Sequence, residues 1–128
     1  MKPDVIYHFH HLGIPVKDGC QEGRFSTVTG MYTVDNPGNF RIQWHRFTDD
    51  SPLHPLIRTV PHVAFRVDNL AYAIEGEEVI LGPYEPVDGL QVAIINDNGA
   101  PVEIIQTSLD DDELWQRAKN GQGGIYRT

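Results

Sequence analysis

Four stretches of the chain alternate between apolar and polar positions. This is the pattern of β-strands, in which neighbouring side chains point to opposite faces of a sheet. In the segment 11–16, Leu12, Ile14 and Val16 share one face, and His11 begins the other. The segment 62–67 repeats this arrangement, with His62 at the start of its polar face. Each segment therefore predicts a strand with an apolar face for a core and a second face that begins with a histidine.

Two further segments, 40–47 and 100–107, follow the same alternation and add polar side chains. The polar faces of the four predicted strands carry His11, Gln43 together with His45, His62 and Glu103. Glu103 is the most informative of these, because a carboxylate between apolar neighbours is costly to bury without a partner. We interpret the set as a metal-binding cup. By uninterrupted alternation, His8 and His10 are expected to point to the opposite face from His11.

Turn-forming residues separate the other predicted elements. Strands are predicted over 78–84 and 90–96, and a short helix over 69–75. The segment SLDDDELWQRAKN predicts a C-terminal helix over about 108–120, with Ser108 as its cap and a solvated acidic first turn. The segment 121–128 is predicted to be flexible. A chain of 128 residues fits one domain, 1–128.

Charge and composition limit the kinds of partner that the protein is expected to bind. Ten basic residues against eighteen acidic ones give a net charge of −8, which argues against nucleic acid and anionic membranes as partners. No apolar run resembles a signal peptide or approaches the length of a membrane span. The single Cys20 excludes an intramolecular disulfide. These features predict a cytoplasmic protein that acts on a small molecule.

The segments HLGIPVKD, HVAFRVDN and NDNGAPVEII resemble the vicinal oxygen chelate superfamily. Glyoxalase I, methylmalonyl-CoA epimerase, extradiol dioxygenases and fosfomycin or bleomycin resistance proteins belong to it. The resemblance covers residues 5–107 and is nearest to the epimerase-like branch. It implies an α+β fold in which two paired βαβββ modules, about 5–48 and 60–107, form a cupped mixed sheet. The first module is shortened and is expected to lack a proper helix.

The same resemblance implies a divalent metal ion (Zn, Fe, Ni, Co or Mn) held by His11, Gln43, His62 and Glu103. His45 lies on the face of Gln43 and is a candidate either for the fourth ligand or for the general base. The weaker catalytic candidates are Glu85 and Tyr32. Arg66 and Arg41 are candidates for binding a substrate carboxylate or phosphate, with a structural ion pair as the alternative.

Three classes of function remain open. The first is a metal-dependent lyase, isomerase or epimerase that stabilises an enolate or enediolate. The second is an Fe(II) oxygenase of the extradiol type, with His11, His62 and Glu103 as a two-His-one-carboxylate triad. The third is a non-catalytic small-molecule binding or resistance protein. Methylmalonyl-CoA epimerase itself is not expected, because no Glu lies between Arg24 and His62 and no basic cluster is evident for CoA. Open sheet edges favour a homodimer.

Overall fold

The computed structural model describes residues 1–87 and 89–119, and the predicted flexible segment 121–128 lies outside them. Within the described residues, eight strands and three helices follow one another. Their bounds are β1 (His8–Val16), β2 (Arg24–Ser26), β3 (Met31–Asp35), β4 (Ile42–Phe47), α1 (Pro55–Thr59), β5 (His62–Arg66), α2 (Leu70–Ala73), β6 (Glu78–Val87), β7 (Leu90–Asp97), β8 (Ala100–Thr107) and α3 (Asp111–Lys119). No helix in this part of the chain is long and apolar enough to cross a membrane.

The strands form one curled, mixed sheet in the order β2-β3-β4-β1-β5-β8-β7-β6. β1 runs parallel to β4, β5 runs parallel to β8, and β1 and β5 meet antiparallel at the centre. The predicted α+β class with a mixed sheet is confirmed at this level. The strands predicted over 78–84 and 90–96 correspond to β6 and β7. The centre of the sheet is therefore built by the two strands that begin with the repeated histidine pattern.

Short polar side chains fix the starts of α2 and α3. α2 follows β5, and the Asn69 side chain caps it by accepting from the Tyr72 backbone N–H. The segment between β1 and β2, by contrast, contains turns and bends and no helix. At α3 the predicted cap is wrong: the carboxylate of Asp110 accepts from the Glu113 N–H at 2.8 Å, so the helix begins at Asp111. Ser108 lies too far upstream to cap it.

Two apolar clusters lie on opposite faces of the second half of the sheet. One contains the residue that follows β5, two residues of α2 and one residue each of β7 and β8: Val67, Leu70, Ala73, Ala93 and Ile104. The other contains Ala64, Leu90, Val92, Ile105 and Leu114, the last from α3. Because Ala64 and His62 are two residues apart on β5, they share a face. α3 therefore packs onto the face of the sheet that carries the histidines.

Burial in the first half differs from expectation. The apolar residues Leu12, Ile14 and Val16 are only half-buried, whereas His11 on the other face of β1 is buried. On β4 the buried positions are likewise Gln43 and His45. The alternation itself is as predicted, but the polar face is the more deeply buried side. Such burial is costly for polar groups that lack partners, which directs attention to this face.

Candidate metal centre

The strand register brings the predicted ligands of three strands together on one face. Gly13 of β1 pairs with His62 of β5, and two residues further along His11 pairs with Ala64. Ala64 in turn pairs with Glu103 of β8. His11 and Glu103 therefore flank the small Ala64 from either side, with His62 two residues away on the same face of β5. A larger side chain at position 64 would occupy the space between the side chains of His11 and Glu103.

His11, His62 and Glu103 form a compact group of potential ligands, one atom of each lying within 4.8 Å of the others. The His62 Nε2 atom is 3.6 Å from Glu103 Oε1, and the His11 Nε2 atom is 3.9 Å from Glu103 Oε2. Both distances exceed a normal hydrogen bond. Both Nε2 atoms are buried and have no hydrogen-bond partner. Two imidazole nitrogens and a carboxylate thus face one another without direct contact.

Burial shifts the pKa values in this group in the directions that suit a metal ion. Desolvation lowers the pKa of His62 to about 4, and desolvation and the neighbouring histidines lower the pKa of His11 well below 6.5. Both imidazoles are therefore neutral at physiological pH, the form that ligates metals. Desolvation also raises the pKa of Glu103 to about 7, so that ionising this carboxylate is unfavourable without a cation nearby. The group fits a divalent ion, which would engage the free nitrogens and compensate the buried charge.

His45 adds a third buried imidazole. Its ring stacks on that of His62 with centroids 5.6 Å apart, and its Nδ1 lies 2.9 Å from the Thr33 hydroxyl. Its Nε2 is buried and has no hydrogen-bond partner. Burial, followed by the proximity of His62 and then Arg24, holds the pKa of His45 well below its usual range. His45 is therefore neutral and presents a free nitrogen beside the site.

Gln43 is held by a neighbouring carboxylate. Its Nε2 donates to Asp35 Oδ1 at 2.9 Å, and Asp35 also forms a bidentate ion pair with Arg24. The amide therefore has a fixed orientation through Asp35, while His45 keeps an unpartnered nitrogen. The sequence reasoning weighed Gln43 and His45 as alternatives, and the structure places both on the site's face. The sequence reasoning did not consider Asp35, which the register of β3 on β4 places opposite Gln43.

A glycine makes room for the group. A Cβ atom at Gly13 would lie 2.6 Å from both ring nitrogens of His62, well inside van der Waals contact, and nearer still to the carbon between them. The His62 ring therefore lies directly against the backbone of β1. Only glycine permits this approach, since any other residue would push the imidazole away.

Arg41 and Arg66 both reach the start of α3. Arg66 Nε donates to Asp111 Oδ1 at 3.0 Å, and Arg41 Nη2 lies 3.8 Å from Asp111 Oδ2. Of the two predicted roles, these contacts match the structural ion pair. The acidic first turn of α3 is not purely solvated, because Asp111 anchors the helix to β5 and to the residue before β4.

Tyr32 and Glu85 are not brought to the group. Tyr32 neighbours Thr33, which faces His45, so the tyrosine ring lies on the other face, under the Arg46 guanidinium at 4.3 Å. Glu85 lies on the edge strand β6, exposed, and lines a cavity of about 360 Å³ together with Asp68 and Gln91. That cavity is lined by none of the candidate ligands. The sequence did not predict which face these two residues occupy, and the β6–β7 ladder that carries Glu85 contains several register shifts.

The expectation for His10 is wrong. A register shift between Phe9 and His11 in the β1–β5 ladder interrupts the alternation, so two successive histidines turn to the same side. His10 is buried, and its Nδ1 lies 2.7 Å from the Nδ1 of His11. His8 is exposed, as expected of a residue outside the site.

Neither the protein-family models nor the curated proteins include a match to this chain. The case for a metal centre consequently rests on the geometry of His11, His62 and Glu103 and on the free nitrogen of His45.

Proposed function

We propose that this protein is a divalent-metal-dependent lyase, isomerase or epimerase that acts on a small substrate with adjacent oxygen atoms. The observation that carries the proposal is the pair of buried, unpartnered Nε2 atoms of His11 and His62, each of which faces a carboxylate oxygen of Glu103. Buried polar atoms without partners are rare in native proteins and call for an explanation. A bound cation is the explanation that also accounts for the half-buried carboxylate of Glu103.

The fold supports the same proposal. We take β1 to β4 and β5 to β8 as two related modules, because their strands enter the sheet in mirrored order, β2-β3-β4-β1 and β5-β8-β7-β6. The second has the sequence βαβββ, with α2 after β5, and the first lacks the helix. The ligands come from the first strand of each half and from the last strand of the second. This arrangement is what the resemblance to the vicinal oxygen chelate superfamily implies.

His11, His62 and Glu103 would hold the ion, with His45 or Gln43 adjacent. Nitrogen and oxygen ligands without thiolate suit Zn²⁺, Fe²⁺, Ni²⁺, Co²⁺ or Mn²⁺. A bound divalent ion would supply Lewis-acid stabilisation of negative charge on an enolate or enediolate oxygen. The protein contributes the fixed positions of the ligands through the register of β1, β5 and β8, and Trp115 of α3 packs near the His11 ring with centroids 6.1 Å apart.

His45 is assigned the role of general base. If its Nδ1–H donates to the Thr33 hydroxyl, the lone pair is on Nε2, which faces no other hydrogen-bond partner. Its lowered pKa keeps it unprotonated at neutral pH, so it can accept a proton from a carbon next to a carbonyl. The same low pKa makes His45 a weaker base. This is compensated if the site makes the proton on the substrate carbon more acidic.

The test is hydrogen exchange at the substrate carbon. Protein loaded with each of the five metals is incubated in D₂O with a panel of 2-hydroxy ketones and 2-oxo acids, and loss of the α-proton signal is followed by NMR. Exchange is expected in the wild type and in the control His8→Ala, since His8 is exposed. His45→Ala should keep the metal and lose the exchange. Loss of metal from this variant would instead make His45 a ligand. Bound metal without any exchange in the wild type would contradict the lyase, isomerase or epimerase and leave an oxygenase or a binding protein.

A second candidate is an Fe(II) oxygenase of the extradiol type. The observation that favours it is the hydrogen bond from Gln43 to Asp35, which leaves His11, His62 and Glu103 as a two-His-one-carboxylate set. Oxygen consumption by the Fe(II)-loaded protein with catechol-type substrates distinguishes it from the first proposal. Uptake of oxygen without α-proton exchange would replace the lyase or isomerase proposal by this one.

A further inference from the structure

The side chain of His10 links the metal centre to the C-terminal helix. His10 Nδ1 lies 2.7 Å from His11 Nδ1, and His10 Nε2 lies 3.4 Å from the Asp111 backbone carbonyl. Trp115 of α3 packs edge-on to the His10 ring with centroids 6.2 Å apart. A second histidine therefore stands directly behind the candidate ligand His11, on the side away from Glu103.

The donor and acceptor roles in this series of hydrogen bonds follow from the Asp111 carbonyl, whose role is fixed. A carbonyl oxygen can only accept, so the hydrogen bond requires a proton on His10 Nε2. In a neutral His10 the Nδ1 atom is then an acceptor, and the proton between the two rings belongs to His11 Nδ1. A neutral His11 with its proton on Nδ1 has its lone pair on Nε2. That is the atom which faces Glu103 and has no partner.

We propose that His10 is a positioning residue that selects the metal-ready tautomer of His11, and that the Asp111 carbonyl of α3 sets the direction of this hydrogen-bond chain. The inference rests on the proposed metal centre. Histidine ligands commonly donate their second nitrogen to an acceptor, and loss of that acceptor typically lowers metal affinity by about 10–100-fold. Here the acceptor is another histidine, delivered by the register shift in β1.

One of the arginines that hold α3 in place also contacts His10. Arg41 donates from Nε to the His10 carbonyl at 2.5 Å and lies close to the Asp111 carboxylate, which Arg66 also binds. Docking of α3 and orientation of His10 are therefore parts of one network. Asp111→Asn keeps the backbone carbonyl and removes the charge, so it should weaken metal binding less than loss of the His10 acceptor does.

Two substitutions separate the acceptor role from simple packing. His10→Phe keeps a ring against Trp115 and removes the acceptor, whereas His10→Asn is smaller but places an acceptor oxygen near the position of Nδ1. We expect Zn²⁺ affinity, measured by competition with a chelator, to fall about 10–100-fold in His10→Phe. His10→Asn should stay close to the wild type. If His10 only fills space, His10→Phe should bind Zn²⁺ more tightly than His10→Asn. That result would overturn the proposal, and so would wild-type affinity in both variants.

A second readout needs no metal. In metal-free protein, the ¹⁵N chemical shifts of the His11 ring should show the proton on Nδ1 in the wild type and a mixture of tautomers in His10→Phe. The same shifts in both would contradict the role of His10. A wild type that binds none of the five metals would refute the metal centre itself, and the tautomer of His11 would still decide whether His10 directs it.

Discussion

The most direct perturbation of the site is a single methyl group on β1. In Gly13→Ala the new Cβ would lie 2.6 Å from both ring nitrogens of His62, whereas ordinary van der Waals contact begins at 3.4 Å. The imidazole must therefore move by about 0.8 Å or more, against a tolerance of about 0.2 Å in metal–ligand distances. We expect the affinity for Zn²⁺ to fall at least about 100-fold, the upper end of what lost ligand support costs.

Folding should survive this change. Gly13 does not have the left-handed backbone conformation that favours glycine, so alanine is compatible with the strand. Overpacking costs about 1–3 kcal/mol, partly offset by about 0.5–1 kcal/mol because alanine loses less entropy on folding. The control is Gly38→Ala, where the nearest atom to an added Cβ is 3.7 Å away.

The assay is a chelator-competition titration with Zn²⁺, combined with urea unfolding of the metal-free proteins. Gly13→Ala should unfold in one transition near that of the wild type and bind Zn²⁺ weakly, and Gly38→Ala should match the wild type in both. A folded Gly13→Ala protein with wild-type affinity would refute the reasoning, because the His62 ring could not then be at the centre of the site.

Three further predictions concern Glu103 and His45. The pKa of Glu103 is raised from 4.5 to about 7, so the metal-free fold loses stability as pH rises through this range. Glu103→Gln should therefore be more stable than the wild type at pH 8 by roughly 2–3 kcal/mol. Equal urea midpoints of the two proteins at pH 8 would contradict this. Because metal displaces the proton of Glu103, the apparent Zn²⁺ affinity should fall roughly tenfold per pH unit below pH 7, and a flat profile between pH 7.5 and 5.5 would count against Glu103 as a ligand. Thr33→Val removes the partner of His45 Nδ1 and should lower α-proton exchange about tenfold with metal content unchanged, whereas unchanged exchange would exclude this positioning role.

The period-two alternation was sufficient to predict which side of each strand carries the candidate ligands. It put His11 and His62 at the start of matching polar faces and Glu103 on the polar face of β8, and the register brings these three together. Alternation works here because side-chain direction in a strand depends only on local backbone geometry. The same rule placed Gln43 and His45 on one face but could not choose between them. That distinction involves Asp35 and Thr33, which are partners on another strand.

The error about His10 originates in strand register and in long-range packing. A shift within β1 turns His10 to the side of His11, and no local pattern marks it. Its acceptor, the Asp111 carbonyl, comes from the far end of the chain and becomes a neighbour only when α3 docks. Asp111 likewise engages Arg66, a contact between residues 45 positions apart. Pairings of this kind depend on how the helix packs on the sheet, which composition and periodicity do not specify.

The measurement that tests the central claim most directly is elemental analysis of the purified protein, without chelator and after equilibration with each of the five metals in turn. It is made in parallel on His62→Ala and on His8→Ala, which removes an exposed histidine of β1 outside the site. The account predicts one equivalent of metal in the wild type and in His8→Ala, and none in His62→Ala. A wild type that binds no metal, or a His62→Ala protein that binds as much as the wild type, would contradict it.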